Sequence, residues 1–461
     1  MNASTLNTAG HAENAAHDIA SMLHPFTNLA THPQVGPFMI ARGDGVYVED
    51  DQGRRYLEAM SALWCASLGF SNERLAKAGS DALRTLPYYH TFNGRSNAAA
   101  VALAEKLLAM APVPMSKVFF ANSGSEANDT AVKLVWYYHN AIGKPAKKKI
   151  IARKNAYHGV TVAAASMSGL ISNHRDFDLP IDRILHVDCP HHWRYAEAGE
   201  SEEDFATRLA DSLEKRILEE GPETVGAFIA EPVMGAGGVI VPPATYFEKI
   251  QKVLAKYDVL LIADEVICGF CRTGEMFGST TYGMKPDILT SAKALSSGYV
   301  PISAVLVNER VHAAVAANSG KIGTFGHGFT YSGHPVACAI ALETLQVYED
   351  EKILAHVQSL VPQFQQGLQR FAARPFVGEV RGVGFIGAIE LVLDPAKHTA
   401  FDPAKKAGAR LAQLALEQGL IVRALADAVA FCPPLIMTPT QVDEMFERFD
   451  RAMTCFEAEQ A

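Results

Sequence analysis

The feature that most constrains this chain is an alternation that runs from about residue 117 to residue 306. Short runs rich in β-branched and aromatic residues recur at 117–120, 149–152, 226–230, 259–263, 287–290 and 302–306. Helical stretches separate several of them, at 126–142, 204–220 and 246–257. Strand and helix repeated in this way build βαβ units, which predicts an α/β fold with a mostly parallel sheet covered on both faces. Ligands of such sheets bind just beyond the carboxyl ends of the strands. The residues that follow each run are therefore the ones to read for chemistry.

The flanks read differently. Residues 1–20, rich in Ala, Asn and His, suggest a flexible N-terminal arm. Residues 46–56 predict a β-hairpin turning at Asp51 to Gly53. Helical periodicity follows over 73–86 and 97–110, and beyond about 340 longer helices alternate with short strands. The organisation expected is an arm (1–20), an N-terminal segment of a small domain (21–75), a large central domain (76–340) and a C-terminal part of the small α+β domain (341–461).

Composition excludes some partners. A net charge of −9 over 461 residues lacks the basic excess that nucleic acid or an anionic membrane demands. Seven scattered cysteines without framework spacing fit reduced thiols. No apolar run approaches the roughly 20 residues of a membrane span, and no secretory signal opens the chain. The expectation is a soluble cytoplasmic enzyme.

Two short motifs lead nowhere. Gly382 to Gly387 matches G-x-G-x-x-G, but the residues after it read as a strand. The dinucleotide fingerprint needs a helix there to hold pyrophosphate, so a glycine-rich hairpin is expected. Cys268 and Cys271, and Cys189 with His191 and His192, lack the second knuckle of a structural zinc site, so no metal is expected.

Four features at strand ends carry chemistry. Asn122-Ser123-Gly124-Ser125-Glu126 opens a helix, where backbone N–H groups and the dipole favour a phosphate. Asn155-Ala156-Tyr157-His158-Gly159 offers an aromatic that could stack on a flat ring. Asp264 ends an apolar strand, and Lys293 follows another. Each alone has an ordinary reading: a helix cap, a core tyrosine, a turn-capping carboxylate, a surface lysine. Together they are the parts that hold pyridoxal phosphate. An aspartate keeps the pyridine nitrogen protonated, and a lysine, once desolvated, bonds the aldehyde as a Schiff base.

With these residues in view, the chain resembles the class III, fold-type I, pyridoxal-phosphate-dependent aminotransferases, and within them the ω-amino acid and 4-aminobutyrate:pyruvate group. The resemblance runs from about Leu23 to Cys455. It is carried by Leu63-Trp64-Cys65, 123–128, Tyr157-His158-Gly159, 231–238, the interval from Asp264 to Lys293, and 327–335. It implies that Lys293 forms the Schiff base and moves the proton while Asp264 pairs with the ring nitrogen. Gly124 and Ser125 would bind the phosphate, completed by Thr330 beside Phe329 from a neighbouring subunit, which makes an obligate homodimer. Tyr157 and Val266 would flank the ring, His158 would line the cofactor site, and Glu231 would orient the site near Asp264 and Arg423. Arg423 would take a keto-acid carboxylate, and Trp64, Phe26 and Phe92 would wall the amine pocket. Cys271 stands where relatives often have glycine.

The reaction implied is a two-step, ping-pong transamination. A primary amine or ω-amino acid, such as 4-aminobutyrate, β-alanine, a diamine or an arylalkylamine, would be the donor and pyruvate the acceptor. The same Lys–Asp pair also serves decarboxylases and racemases, and 2-oxoglutarate is the alternative acceptor.

Overall fold

The computed structural model describes residues 10–460. Its centre is a seven-stranded sheet of β1 (Lys117–Ala121), β2 (Lys149–Arg153), β3 (Ile184–Val187), β4 (Val225–Ala230), β5 (Leu260–Asp264), β6 (Ile288–Ser291) and β7 (Ser303–Val307). The strand order is β1-β7-β6-β5-β4-β2-β3. Strands β2 to β6 pair in parallel, whereas β7 runs antiparallel to both of its neighbours, β6 and β1. The mostly parallel sheet expected is found, with β7 alone running the other way and β1 pointing the same way as β2 to β6.

Burial on both faces explains the near-continuous apolar strands. All six residues of β4 and all five of β5 are buried. Phe228 and Leu261 pack under the helices Glu202–Glu220 and Tyr246–Lys256, with Phe205, Leu213 and Phe247. Their neighbours Ala227, Ile229, Leu260 and Ile262 face the opposite way, against Ala131 and Val135 of the helix Gly124–Ala141. Strand β3 escaped the sequence reading. It is short, sits at the sheet edge and carries His186 amid its aliphatic residues.

Two smaller sheets hold the flanks. The hairpin strands Tyr47–Asp50 and Arg55–Glu58 pair as expected, and Arg55–Glu58 also pairs in parallel with Leu420–Ile421. N- and C-terminal segments therefore share one sheet. The second small sheet contains Val377–Val383, Ile386–Leu391, Ala428–Phe431 and Arg423–Leu425. Gly382 to Gly387 spans the first hairpin of that sheet, closing with Val383 opposite Ile386. Gly384 turns it at φ +56°, and a Cβ there would lie 2.1 Å from the Thr273 carbonyl carbon. No helix N-terminus follows, so no pyrophosphate site exists at this motif.

The arm read over 1–20 is helical in its second half. Residues 1–9 lie outside the described residues, but His11–Ser21 forms a helix. Four alanines within 11–21 carry high helix propensity, which outweighs the loop-like impression of Asn and His. No helix among the described residues is long and apolar enough to cross a membrane.

Candidate active site

Because β1, β2, β4, β5 and β6 run the same way, their carboxyl ends share one edge of the sheet. The chain leaves that edge at the five places where the chemistry-bearing residues stand: 122–125, 155–159, 231, 264–266 and 293.

At the first, Ser123 caps the helix Gly124–Ala141, its Oγ accepting from the Glu126 N–H at 3.2 Å. The Glu126 carboxylate reaches back to accept from the Asn122 N–H at 2.7 Å. The amides of Gly124 and Ser125 belong to the first turn, which has no acceptor inside the helix. Ser125 Oγ accepts from the Val160 N–H at 3.0 Å, which leaves its own hydrogen to donate. Gly159, at φ +133°, lets this loop approach: a Cβ there would lie 2.5 Å from Ser125 Oγ. One end of the site is thus ready for an anion.

The other end is a buried carboxylate. Asp264 is 3% exposed. Its Oδ2 accepts from His158 Nδ1 at 2.7 Å and from Asn128 Nδ2 at 2.8 Å, and its Oδ1 from the Val266 N–H at 3.1 Å. Asn128 also donates to the His158 carbonyl at 2.7 Å and accepts from Thr290 Oγ1 at 2.9 Å. Because the acceptor is a carboxylate, Nδ1 of His158 carries hydrogen. Its Nε2 is buried with no partner among the described residues.

Glu231 follows β4 and is also buried. Burial raises its carboxyl above the ordinary glutamate range. Its two oxygens accept from the backbone of Tyr157 and Gly235, each at 3.2 Å, so it braces the loop that carries Tyr157.

Between these ends lies a cavity of about 120 Å³, lined by Gly124, Ser125, Asn128, Tyr157, His158, Gly159, Glu231, Asp264, Val266, Ile267 and Lys293. A larger one of about 600 Å³ adjoins it, with Phe26, Trp64, Arg194 and Arg423 among its walls. Tyr157, Ile267 and Lys293 line both. Lys293 is half-buried and takes φ +50°, in the left-handed region that costs a non-glycine residue of order 1–3 kcal/mol. Its amine has no hydrogen-bond or ion-pair partner among the described residues. Burial lowers its pKa below the usual 10.5, although Cys65, Asp264 and Glu231 pull the other way. A desolvated, unpaired amine gives up its proton more readily than an exposed one and so is a better nucleophile.

Arg423 stands on the strand Arg423–Leu425, half-buried, its guanidinium lowered by burial. It makes no ion pair with Glu231 or with any other described residue. Phe26 and Trp64 line the large cavity as expected, Trp64 buried and Phe26 70% exposed.

Phe92, Phe329 and Thr330 line neither cavity. Phe92 is 43% exposed and lies beside His90 and over Gly328. Thr330 is exposed, with its carbonyl accepting from the Tyr88 hydroxyl at 2.9 Å, and Phe329 meets His327 edge-on at 5.3 Å. The loops holding these three residues pack on a separate surface of the chain, so Phe92 is not among the cavity walls that this copy forms. Sequence reasoning gave no role to Asn128 and Thr290. The signal was present in Asn128, a polar side chain on the helix face that also buries Ala127, Ala131 and Val135.

Pyridoxal phosphate fits these residues. Free first-turn amides would suit its anion, the buried carboxylate a ring that needs a proton held, and the unpaired amine an aldehyde.

The comparisons with known proteins agree. A family model of class-III aminotransferases matches residues 30–453. "Gamma-aminobutyrate transaminase 1, mitochondrial" of Oryza sativa subsp. indica is 51% identical over 437 residues, which is 95% of this chain and 85% of that one. The Solanum lycopersicum protein called "Gamma aminobutyrate transaminase 1, mitochondrial" is 51% identical over 94% of this chain and 84% of its own. Among solved structures, the omega transaminase from Pseudomonas jessenii in complex with PMP superposes with a TM-score of 0.95. It is 57% identical and covers 96% of this chain and 98% of its own. From the strand-end site and these likenesses together, the chain belongs to the class-III aminotransferases, enzymes that transfer amino groups with pyridoxal 5'-phosphate.

Proposed function

We propose that the chain moves the amino group of a primary amine or ω-amino acid to a keto acid, pyruvate foremost, with Lys293 carrying the proton. The observation that carries this reading is the unpaired Lys293 amine, which faces the carboxylate-floored small cavity and the Arg423 cavity at once.

When bound, pyridoxal phosphate supplies an aldehyde that captures an amine and a ring that withdraws electrons from the carbon beside it. The protein's own residues do the rest. Gly124 and Ser125 would hold the phosphate through amides and the Ser125 hydroxyl. Asp264, clamped by His158 and Asn128, would hold a proton on the ring nitrogen. Tyr157 and Val266 would flank the ring, and Glu231 keeps the Tyr157 loop in place. Neutral Lys293 takes the proton from the amine carbon and returns it one atom away. Trp64 and Phe26 shelter an apolar donor chain from water. Arg423 binds the acceptor's carboxylate through paired, charge-assisted bonds.

Several observations support the finer parts. Relatives named gamma-aminobutyrate transaminases favour an ω-amino acid donor. Phe92, Phe329 and Thr330 lie away from their own cavities beside exposed Tyr88, Tyr89 and Tyr331, which favours a homodimer whose second copy brings them to the site. The free cysteines suit a reducing compartment such as the cytoplasm. The sheet arrangement supports a large unit over 76–340 and a small one built from both flanks.

The test is alanine formation from pyruvate with a panel of single amines, run beside 2-oxoglutarate. Amine-dependent alanine is expected. Carbon dioxide release or a racemised donor without alanine overturns the reading.

A further inference from the structure

We propose that Asp18, His24 and His32 form a site for a divalent transition cation, zinc being the representative ion, which pins the segment bearing Phe26. Asp18 comes from the last turns of the helix His11–Ser21, His24 from the link after it, and His32 from the short helix His32–Val35. Their ligand atoms all lie within 4.8 Å of one another. Asp18 Oδ1 is 2.8 Å from His24 Nε2 and 3.2 Å from His32 Nε2, and the two imidazoles sit 4.4 Å apart. The three side chains are largely buried.

Two imidazole nitrogens and a carboxylate oxygen are the donors that zinc and its neighbours in the first transition row prefer. In a tetrahedral zinc site with bonds of about 2.0–2.2 Å, ligand atoms are separated by roughly 3.3 Å. The two observed gaps already approach that edge, so a cation enters with small side-chain movements. Each histidine would present the Nε2 that now meets Asp18, its hydrogen moving to Nδ1. The fourth position falls to water on the partly open His24 side.

The placement gives the ion a purpose. His24 and His32 bracket Pro25 to Thr31, a stretch with exposed Phe26 and Leu29 and with Phe26 at φ +50°. Little apolar packing holds this stretch, yet Phe26 forms part of the large cavity wall. A cation tying 18, 24 and 32 closes a loop around Phe26 and lowers the freedom of that wall. The consequence for amine binding rests on the function proposed above; the metal site does not.

The experiment is equilibrium dialysis of the holoenzyme against zinc with metal analysis, on the wild type and on Asp18→Asn, His24→Gln and His32→Gln. A parallel measurement follows limited proteolysis between Met22 and Leu29 with and without zinc. Far-ultraviolet circular dichroism checks that each variant is folded. About one zinc per chain is expected in the wild type beyond what the variants hold, with cleavage slowed several-fold by zinc in the wild type alone. Equal zinc in the wild type and all three variants, or none in the wild type, overturns the site. Zinc retention without slower cleavage overturns its role in pinning Phe26. Neither readout needs turnover, so a failure of the transaminase reading remains separate.

Discussion

The floor of the small cavity and the outer wall of the large one are built in opposite ways. On the floor, Asp264, His158, Asn128 and Thr290 are buried and linked by four hydrogen bonds of 2.7–2.9 Å. Asp264 ends a strand whose other residues are core, Thr290 lies within the next strand, and Asn128 reaches both from the helix Gly124–Ala141. On the wall, Phe26 is 70% exposed, and Arg423 faces the cavity without a counter-ion among the described residues. The floor is set by folding before any ligand arrives. The wall is left for ligands to complete. A buried polar network is costly if half-satisfied, so the floor tolerates little change, whereas the wall can vary with the substrate.

The sharpest way to break this contrast is Asp264→Asn, which keeps shape and removes the charge. Loss of one preorganised electrostatic group predicts an amine half-reaction slowed by about 10³-fold, read by stopped-flow absorption of the bound cofactor. A slowing of less than about ten-fold would place ring protonation elsewhere.

Arg423→Ala comes next. Losing charge-assisted hydrogen bonds to a carboxylate predicts a pyruvate KM raised by about 10–100-fold, while the half-reaction with an amine lacking a carboxylate stays within about three-fold. Equal damage to both halves would remove Arg423 from acceptor binding.

Asn128→Ala tests the floor through stability. It strands Thr290, His158 and Asp264 at once, which predicts a loss of about 2–3 kcal/mol in urea denaturation. Phe26→Ala, by contrast, is expected to stay within about 0.5 kcal/mol in the same assay and to change only the KM for bulky amines.

The smallest effect concerns pH. Lys293 has its pKa lowered from 10.5 by burial, so the unfolded chain binds that proton more tightly than the folded one. Stability of the cofactor-free protein is expected to rise as pH climbs from the lowered native-state pKa toward 10.5, as the native-state penalty for the charged amine is relieved. Lys293→Met should flatten that slope, and equal slopes in both proteins would contradict the buried-amine account.

How much of this was legible in the sequence follows the same division. Strands β4 and β5 announce themselves because both faces are buried and nearly every residue is apolar. Gly124, Ser125, Tyr157, His158, Asp264, Val266 and Lys293 stood out in the sequence because each lies at or within a few residues of the end of a strand. Asn128 and Thr290 were not, since each sits inside an element and acquires its partner only when helix and sheet meet. Strand β3 was hidden by its edge position and by His186. Phe92 and Thr330 show the remaining limit: in the folded chain they lie away from both cavities, and no local pattern records that.

The central claim is that one desolvated lysine serves both cavities, and reduction of the holoenzyme with borohydride followed by peptide mapping tests it most directly. The account predicts a pyridoxyl group on Lys293 alone, absent after prior conversion with an amine donor. A label on any other lysine, or undiminished labelling after the donor has reacted, would contradict it.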